Sequence, residues 1–305
     1  MLFEAPKEIQ TSIFSTVPDH LRMKNRKSGW SFGKGSDHLH SFIEAPSFDR
    51  EGNLYVTDIP YGRIFKITPD KQWSVVTEYD GWPNGLKIHK DGRFFIADHR
   101  NGIMQLDPAT GKVTAVLDNI RREGLKGTND LIFASNGDLY FTDQGQSGMQ
   151  DPSGRVYRLR PDGQVDLLIS NVPSPNGLAL SPNQQVLYVA ATRANQIWRM
   201  PLHPDGTTSK VGAYIQLSGG SAGPDGIASD ALGGLAVAHC GLGTVWIFSK
   251  LGEPLYRLRS CAGLSTTNIA FGGPENKTLF ITESDTGSIL MAQLPEAGLP
   301  MFGVE

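Results

Sequence analysis

The sequence predicts an all-β fold, a single six-bladed β-propeller closed by its own N-terminal strand, and three observations predict it. The first is the stretch Thr128 to Asp143, TNDLIFASNGDLYFTD, which reads as a polar tip, an apolar strand, an Asn-Gly turn, a second strand and a closing Asp. Asn136-Gly137 between two apolar runs is a strong hairpin signal, because both central residues of such a turn take positive φ. The second observation is repetition. Ser47 to Asp58, Gly85 to Asp98, Gly177 to Ala191, Gly226 to His239 and Ile269 to Glu283 follow the same scheme. Each copy is led by a polar residue, and the leads Glu44, Asn84, Asn129, Asn176, Asp225 and Asn268 fall 40, 45, 47, 49 and 43 residues apart. That is the period of a four-stranded propeller blade. The third observation is an imbalance at the ends: the last unit lacks a strand, and the N-terminus has one to spare.

Taken in order, residues 1–40 are atypical. Ile9 to Val17 (IQTSIFSTV) reads as one isolated strand, and residues 18–37 as a long polar and basic loop, either a flap or a surface connection. Residues 41–295 hold the blades. The first unit shows four strands, Ala45–Phe48, Leu54–Thr57, Arg63–Ile67 and Trp73–Thr77. Inner strands alternate weakly, as expected of strands buried on both faces; Arg155 to Leu159 (RVYRL) alternates more clearly. In the last unit only Thr278 to Thr282 and Ser288 to Gln293 follow the lead strand, after which Pro295, Gly298 and Pro300 end the pattern and leave residues 296–305 as a tail. Ile9 to Val17 would complete this blade and close the ring, leaving no long free edge. A solenoid of stacked strands is the alternative, and the spare N-terminal strand argues against it.

Composition narrows the functional classes. A chain of 305 residues could hold two domains, but closed all-β folds reach this size as one. A net charge of -3 with no block of like charge gives no footprint for nucleic acid or an acidic membrane surface. The opening MLFEAPKEIQ has no apolar run, so neither a signal peptide nor a membrane span is expected. Cys240 and Cys261 read as two reduced thiols. The expectation is a cytoplasmic protein, monomer or homodimer.

In a propeller the residues leading into the innermost strands converge at one mouth of the central channel. Here one Glu, one Asp and four Asn converge, with no Lys or Arg among them. Carboxylate and amide oxygens suit a hard divalent cation, and the absence of Cys and His argues against a structural zinc site. Turn chemistry competes with this reading at Asn84-Gly85, Asn176-Gly177 and Asp225-Gly226, but Glu44 and Asn129 are not followed by Gly. The ends of the second strands, Asp58, Asp98-His99, Asp143-Gln144, Thr192-Arg193, His239 and Glu283, form a second ring. His99 and His239 are candidates there for substrate hydrogen bonds or proton transfer; the alternative is a satisfied polar network. Trp30 and Trp82 are candidate pocket walls, and His38 and His40 lie close to Glu44 in sequence. No nucleophile elbow or phosphate loop is present, so any chemistry should be metal-assisted.

The motifs EAPSFDREGNLYVTD, TNDLIFASNGDLYFTD, SPNGLAL and GPDGIA, in this order and spacing, make residues 44–293 resemble the SMP-30/gluconolactonase (regucalcin-like) family, and more distantly diisopropyl fluorophosphatase and the Drp35 lactonase. The resemblance implies one divalent cation, calcium first, with zinc, magnesium or manganese as alternatives. Its ligands fall on Glu44, Asn129, Asn176 and Asp225. Asp225 becomes general base or nucleophile, Asp130 stands behind the ligands, and Asn84 and Asn268 are left as extra polar leads that line the pocket or hold a water. The implied reaction is hydrolysis of a small lactone, of a sugar or hydroxy acid. One departure stands out: vertebrate members carry an Arg two residues before the Asn, and this chain has Gly127. The competing classes are a phosphotriesterase or arylesterase on the same metal, a non-catalytic calcium-binding propeller, and a biosynthetic cyclase on the same scaffold.

Overall fold

Each of the six repeats folds into one antiparallel sheet whose strands follow in chain order, and the sheets surround a central channel as a β-propeller. The computed structural model describes residues 4–31 and 39–304. Blade 1 comprises Ile43–Phe48, Leu54–Asp58, Arg63–Ile67 and Trp73–Glu78, within a residue or two of expectation. The inner strands of blades 2 to 6 are Pro83–Ile88, Thr128–Phe133, Pro175–Leu180, Gly223–Ser229 and Thr266–Gly272. These strands start at one mouth of the channel, here called the top. Among the described residues no helix is long and apolar enough to cross a membrane, and no disulfide joins Cys240 to Cys261.

The N-terminal strand closes the ring, but not as one piece. Ser12–Thr16 pairs antiparallel with Ser288–Gln293 and supplies the missing outer strand of blade 6. Lys7–Gln10 instead runs parallel to Pro254–Arg259 and gives blade 5 a fifth strand. The break falls at Thr11, whose backbone N–H (3.2 Å) and Oγ (2.8 Å) both donate to the Arg259 carbonyl while Oγ accepts from the Cys261 N–H at 3.0 Å. Pinned there, the chain steps from one blade edge to the next and staples the two together. Beyond it, Arg22 reaches the Val17 and Thr286 carbonyls and His40 at 2.9–3.0 Å, holding the start of the loop over the top. The last part of the expected loop, from residue 32, and His38 after it lie outside the described residues.

The Asn136-Gly137 turn also departs from expectation. Only Gly137 has positive φ (88°), and its N–H donates to the Ala134 carbonyl at 2.9 Å. The turn therefore spans Ala134 to Gly137 with one left-handed position at its end. Gly52, Gly92 and Gly233 repeat it at the bottoms of blades 1, 2 and 5, and Gln184 takes the same role in blade 4 with φ 55°.

Among the described residues six hydrophobic clusters hold the ring together, each shared by two neighbouring blades. Around the channel these contacts are joined by hydroxyl straps. Thr57 donates to the Asn84 carbonyl, Thr128 to Asp98, Thr142 to Asn176, Thr192 to Pro224, Thr266 to His239 and Ser284 to Ile43, all within 2.7–3.1 Å. Every blade boundary thus carries a hydrogen bond from a side-chain hydroxyl to a backbone carbonyl of the neighbouring blade. The C-terminal tail closes the bottom. Leu299 N–H donates to the Ser229 carbonyl at 3.0 Å, Phe302 stacks on Phe133 at 5.0 Å, and Leu299 to Phe302 floor a cavity of about 180 Å³ within the channel.

The glycines after Asn84, Asn176 and Asp225 are not turn residues. Gly85, Gly177 and Gly226 lie inside strands without positive φ. A Cβ on Gly85 would come 2.8 Å from the backbone of Asn129 and Asp130; one on Gly177 would overlap the Asp225 carbonyl, and one on Gly226 the Asn268 carboxamide. They are glycine because the inner strands crowd round the axis. Gly177→Ala is therefore expected to cost about 1–3 kcal/mol by overpacking against backbone. Gly212→Ala, where a Cβ meets open space, should leave stability nearly unchanged. Paired urea denaturation curves check both.

Candidate functional site

The six leads reach the mouth because every inner strand slips register there. The pairing with the second strand shifts between Glu44 and Ser47, Pro83 and Gly85, Thr128 and Leu131, Pro175 and Leu178, Pro224 and Ile227, and Thr266 and Asn268. A bulge bends its strand and re-aims the side chains beside it. Here it frees the leads from the alternation that would bury them between blades and turns them to the channel.

The second ring holds these bulges in place. Asp58 accepts the Phe42 N–H at 2.7 Å, Asp98 the Trp82 N–H at 3.0 Å and Asp143 the Gly127 N–H at 2.8 Å. In each case the donor lies two residues before a lead. The other carboxylate contacts are also taken: Asp58 and Asp143 by Arg63 and Arg155 through Nε at 2.8 Å, Asp98 by Tyr79, Arg100 and Asn101 at 2.7–2.9 Å. Glu283 accepts from Asp285 N–H (3.0 Å) and Thr286 N–H (3.1 Å). These acids are fully buried. They form the satisfied polar network weighed above and position the leads from behind.

At the mouth, Glu44, Asn84, Asn129, Asn176 and Asn268 are all buried, whereas Asp225 is only partly so. Glu44 Oε2 accepts from Ala45 N–H at 2.6 Å and from Asn268 Nδ2 at 2.8 Å. Burial pushes the Glu44 carboxyl well above the usual carboxylate range, and the negative charges of Asp225 and Asp130 push it further. Asp130, beside Asn129, is raised by burial and held back by the charge of Lys87, by the Leu131 N–H (2.8 Å) and by Asn268. Asn129 donates to Gln144 Oε1 at 3.1 Å, and Gln144 donates to Ser174 Oγ at 2.9 Å. That arrangement leaves the Asn129 carbonyl oxygen to face elsewhere. Among the described residues no group of three or more His, Cys, Asp and Glu could hold a metal. A donor set that is half carboxamide is of a different kind. Two carboxylates pressed together in low dielectric, with neutral oxygens beside them, fit a hard cation, whose charge removes the repulsion.

The structure places the histidines differently from each other. His239 is fully buried; its Nε2–H faces the Gly219 carbonyl at 3.1 Å and its Nδ1 accepts the Trp246 indole N–H at 3.3 Å. Burial lowers its pKa, and both nitrogens are engaged within the protein. His99 lies at the mouth, half-buried, near-parallel to Trp82 with ring centroids 6.4 Å apart. It packs where a Gly127 side chain would be: a Cβ on Gly127 (φ 145°) would come 2.6 Å from His99 Cε1. Trp30 packs on Phe42 at 4.7 Å. His40 bonds Arg22 and Ser41 at 2.8–2.9 Å.

Trp82 also lines a cavity of about 530 Å³ at the top of blades 1 and 2, whose lining includes none of the six leads. Among its charged groups Arg26 pairs with Glu78 and Arg100 with Asp80. The convergent oxygen donors sit on the axis beside it. Lys87 was not foreseen. It lies in an otherwise buried inner strand, three residues after the lead Asn84, and lines the channel; a cation among buried strand positions was the available signal.

A propeller with carboxylate and amide oxygens gathered at one mouth defines the class to which the comparisons then give a family. Residues 42–285 match the model described as SMP-30/Gluconolactonase/LRE-like region, and the chain belongs to that family. A Lactonase drp35 from Staphylococcus aureus (strain MRSA252) is 35% identical over 224 residues, covering 70% of this chain and 68% of the relative. The structure of a gluconolactonase from Xanthomonas campestris is 27% identical, covers 84% of this chain and 86% of its own, and superposes with a TM-score of 0.74. The calcium-binding protein regucalcin from Agrobacterium tumefaciens shares the fold at 21% identity, with a TM-score of 0.77 over 97% of this chain and 98% of its own.

The Gly127–His99 contact makes the departure noted in the sequence testable. Gly127→Ala should displace the His99 ring and lower stability by about 1–3 kcal/mol, from overpacking and from a φ that L-residues avoid. A crystal structure and a denaturation curve of the variant check this.

Proposed function

We propose that this chain is a divalent-cation-dependent lactonase that opens a small sugar or hydroxy-acid lactone to the free acid. The observation that carries the reading is the mouth itself: Glu44, Asn129 and Asn176 buried, and Asp225 the one lead partly open to the channel. Family membership and the names of the relatives support it. Glu44, Asn129, Asn176 and Asp225 would hold the cation, with calcium preferred on the all-oxygen donor set and zinc, magnesium or manganese as alternatives. When bound, the cation supplies Lewis-acid polarisation of the lactone carbonyl.

The chain's own groups do the rest. Asp225 takes a proton from the water that attacks the carbonyl carbon. The tetrahedral intermediate collapses with cleavage of the bond to the ring oxygen, and the same proton passes to the departing alkoxide. Water and lactone give one hydroxy acid, so no further reactant is needed. Gln144 orients Asn129. His99 and Trp82 form one wall for the substrate, with an imidazole beside the position where vertebrate members of the family carry a guanidinium. The reading takes the protein as cytoplasmic, monomer or homodimer, with a small-molecule substrate and neither nucleic acid nor membrane as partner.

The first test is hydrolysis of γ- and δ-lactones, followed with a pH indicator, by protein stripped with chelator and reloaded with each cation in turn. Activity restored by calcium is expected; restored activity on phosphotriesters or aryl esters alone would replace the substrate class. Asp225→Asn should lower kcat by about 10²–10⁴-fold while calorimetry still finds calcium bound. Parent-rate turnover in that variant would remove Asp225 from the role of base.

A further inference from the structure

Asn268 shares the mouth with the four residues assigned to the cation but stands apart from them by its contacts. It is 2% exposed, and its carboxamide orientation is fixed by the protein. Oδ1 accepts the N–H of Ile269 at 2.8 Å, so the amide cannot flip without losing that bond and leaving a buried N–H unpaired. The Asn268 N–H donates to Thr282 Oγ at 2.9 Å, which fixes the backbone as well. Gly226 has no side chain where the carboxamide lies, so the neighbouring blade leaves space for this group in this pose.

With Oδ1 turned to its own strand, Nδ2 must face the acids. It donates to Glu44 Oε2 at 2.8 Å, and the same side chain favours the charged form of Asp130 in blade 3, across the ring from blade 6. Glu44 Oε2 has a second donor in Ala45 N–H at 2.6 Å. One oxygen of the carboxylate is thereby saturated by two N–H groups, which fixes the plane of the group and presents the other oxygen. From this geometry we infer that Asn268 is the positioning residue of the cation site: it locks Glu44 in its ligating pose without itself being a ligand. This rests on the cation reading given above.

A group that orients a metal-binding carboxylate supports affinity more than turnover; loss of such a partner typically costs about 10–100-fold in metal affinity. Asn268→Leu keeps the branched shape and heavy-atom count of the side chain, at a larger volume, and removes the donor. Calcium binding to stripped parent and variant is measured by isothermal calorimetry, and the melting temperature of both stripped proteins by calorimetric scan. The expected result is a calcium Kd weakened about 10–100-fold, with kcat at saturating calcium within a few-fold of parent, because Asp225 is untouched. A lowered melting temperature with an unchanged Kd would make Asn268 a packing residue and overturn the inference. A parent that binds no calcium or other divalent cation would overturn the cation reading and this inference together. If Asn268→Leu does not fold, Asn268→Ser, which is smaller and lacks the amide, makes the same comparison.

Discussion

The crowding of six strands round one axis is the constraint on which the rest of the molecule depends. Inner strands that approach this closely leave no room for side chains between them, and the sequence answers with Gly85, Gly177 and Gly226. Beside them, the Asn84, Asn176 and Pro224 carbonyls take their partners across the blade boundary from the hydroxyls of Thr57, Thr142 and Thr192. The same crowding forces the register slips. Where the strands enter the channel the regular ladder gives way, and the residue at each slip turns to the axis. The site is therefore a consequence of closing the ring, with polar residue types chosen at positions the geometry already exposes to the channel.

That choice carries an electrostatic cost that the surrounding shell manages. Asp58, Asp98 and Asp143 are as buried as Glu44, yet each meets N–H donors, guanidinium groups or hydroxyls that satisfy it. Glu44 meets two N–H donors and two like charges, and its carboxyl is pushed up. Burial raises the Asp58 carboxyl too, but Arg63 beside it works the other way, whereas the charges beside Glu44 push in the same direction as burial and are what the proposed cation would offset. A buried acid satisfied from every side stabilises the fold, whereas one left under like-charge repulsion is what a cation site requires before the cation arrives.

Much of this was legible in the sequence, and the exceptions share a cause. The blade period, the leads and the ring closure are local or periodic signals, and a repeated hairpin motif carries them. What was hidden depended on contacts between distant segments. The splitting of the N-terminal strand at Thr11 is decided by Arg259 and Cys261, some 250 residues away. The glycines after the leads look like turn formers until the next blade is placed against them. Asp58, Asp98 and Asp143 resemble site residues in sequence because they end on the same mouth; only their partners at Phe42, Trp82 and Gly127 show that they act from behind. The tail read as the end of the pattern, and its role as a floor depends on Phe133 and Ser229.

That floor gives the channel a direction. At the bottom, Leu299 to Phe302 seal it with apolar contacts, and the cavity above them is lined largely by Ile, Leu and Phe. At the top, the oxygen donors meet solvent through Asp225. Lys87 stands between, its charge felt by Asp130. A channel open at both ends would let water solvate the acids from either side and weaken every charge interaction among them. Closed below, it keeps Glu44 and Asp130 in low dielectric, where a counter-charge matters most. It also leaves the mouth as the approach to Asp225. The tail, remote from the leads in sequence and at the far end of the axis, thus contributes to the electrostatics of the site by what it excludes.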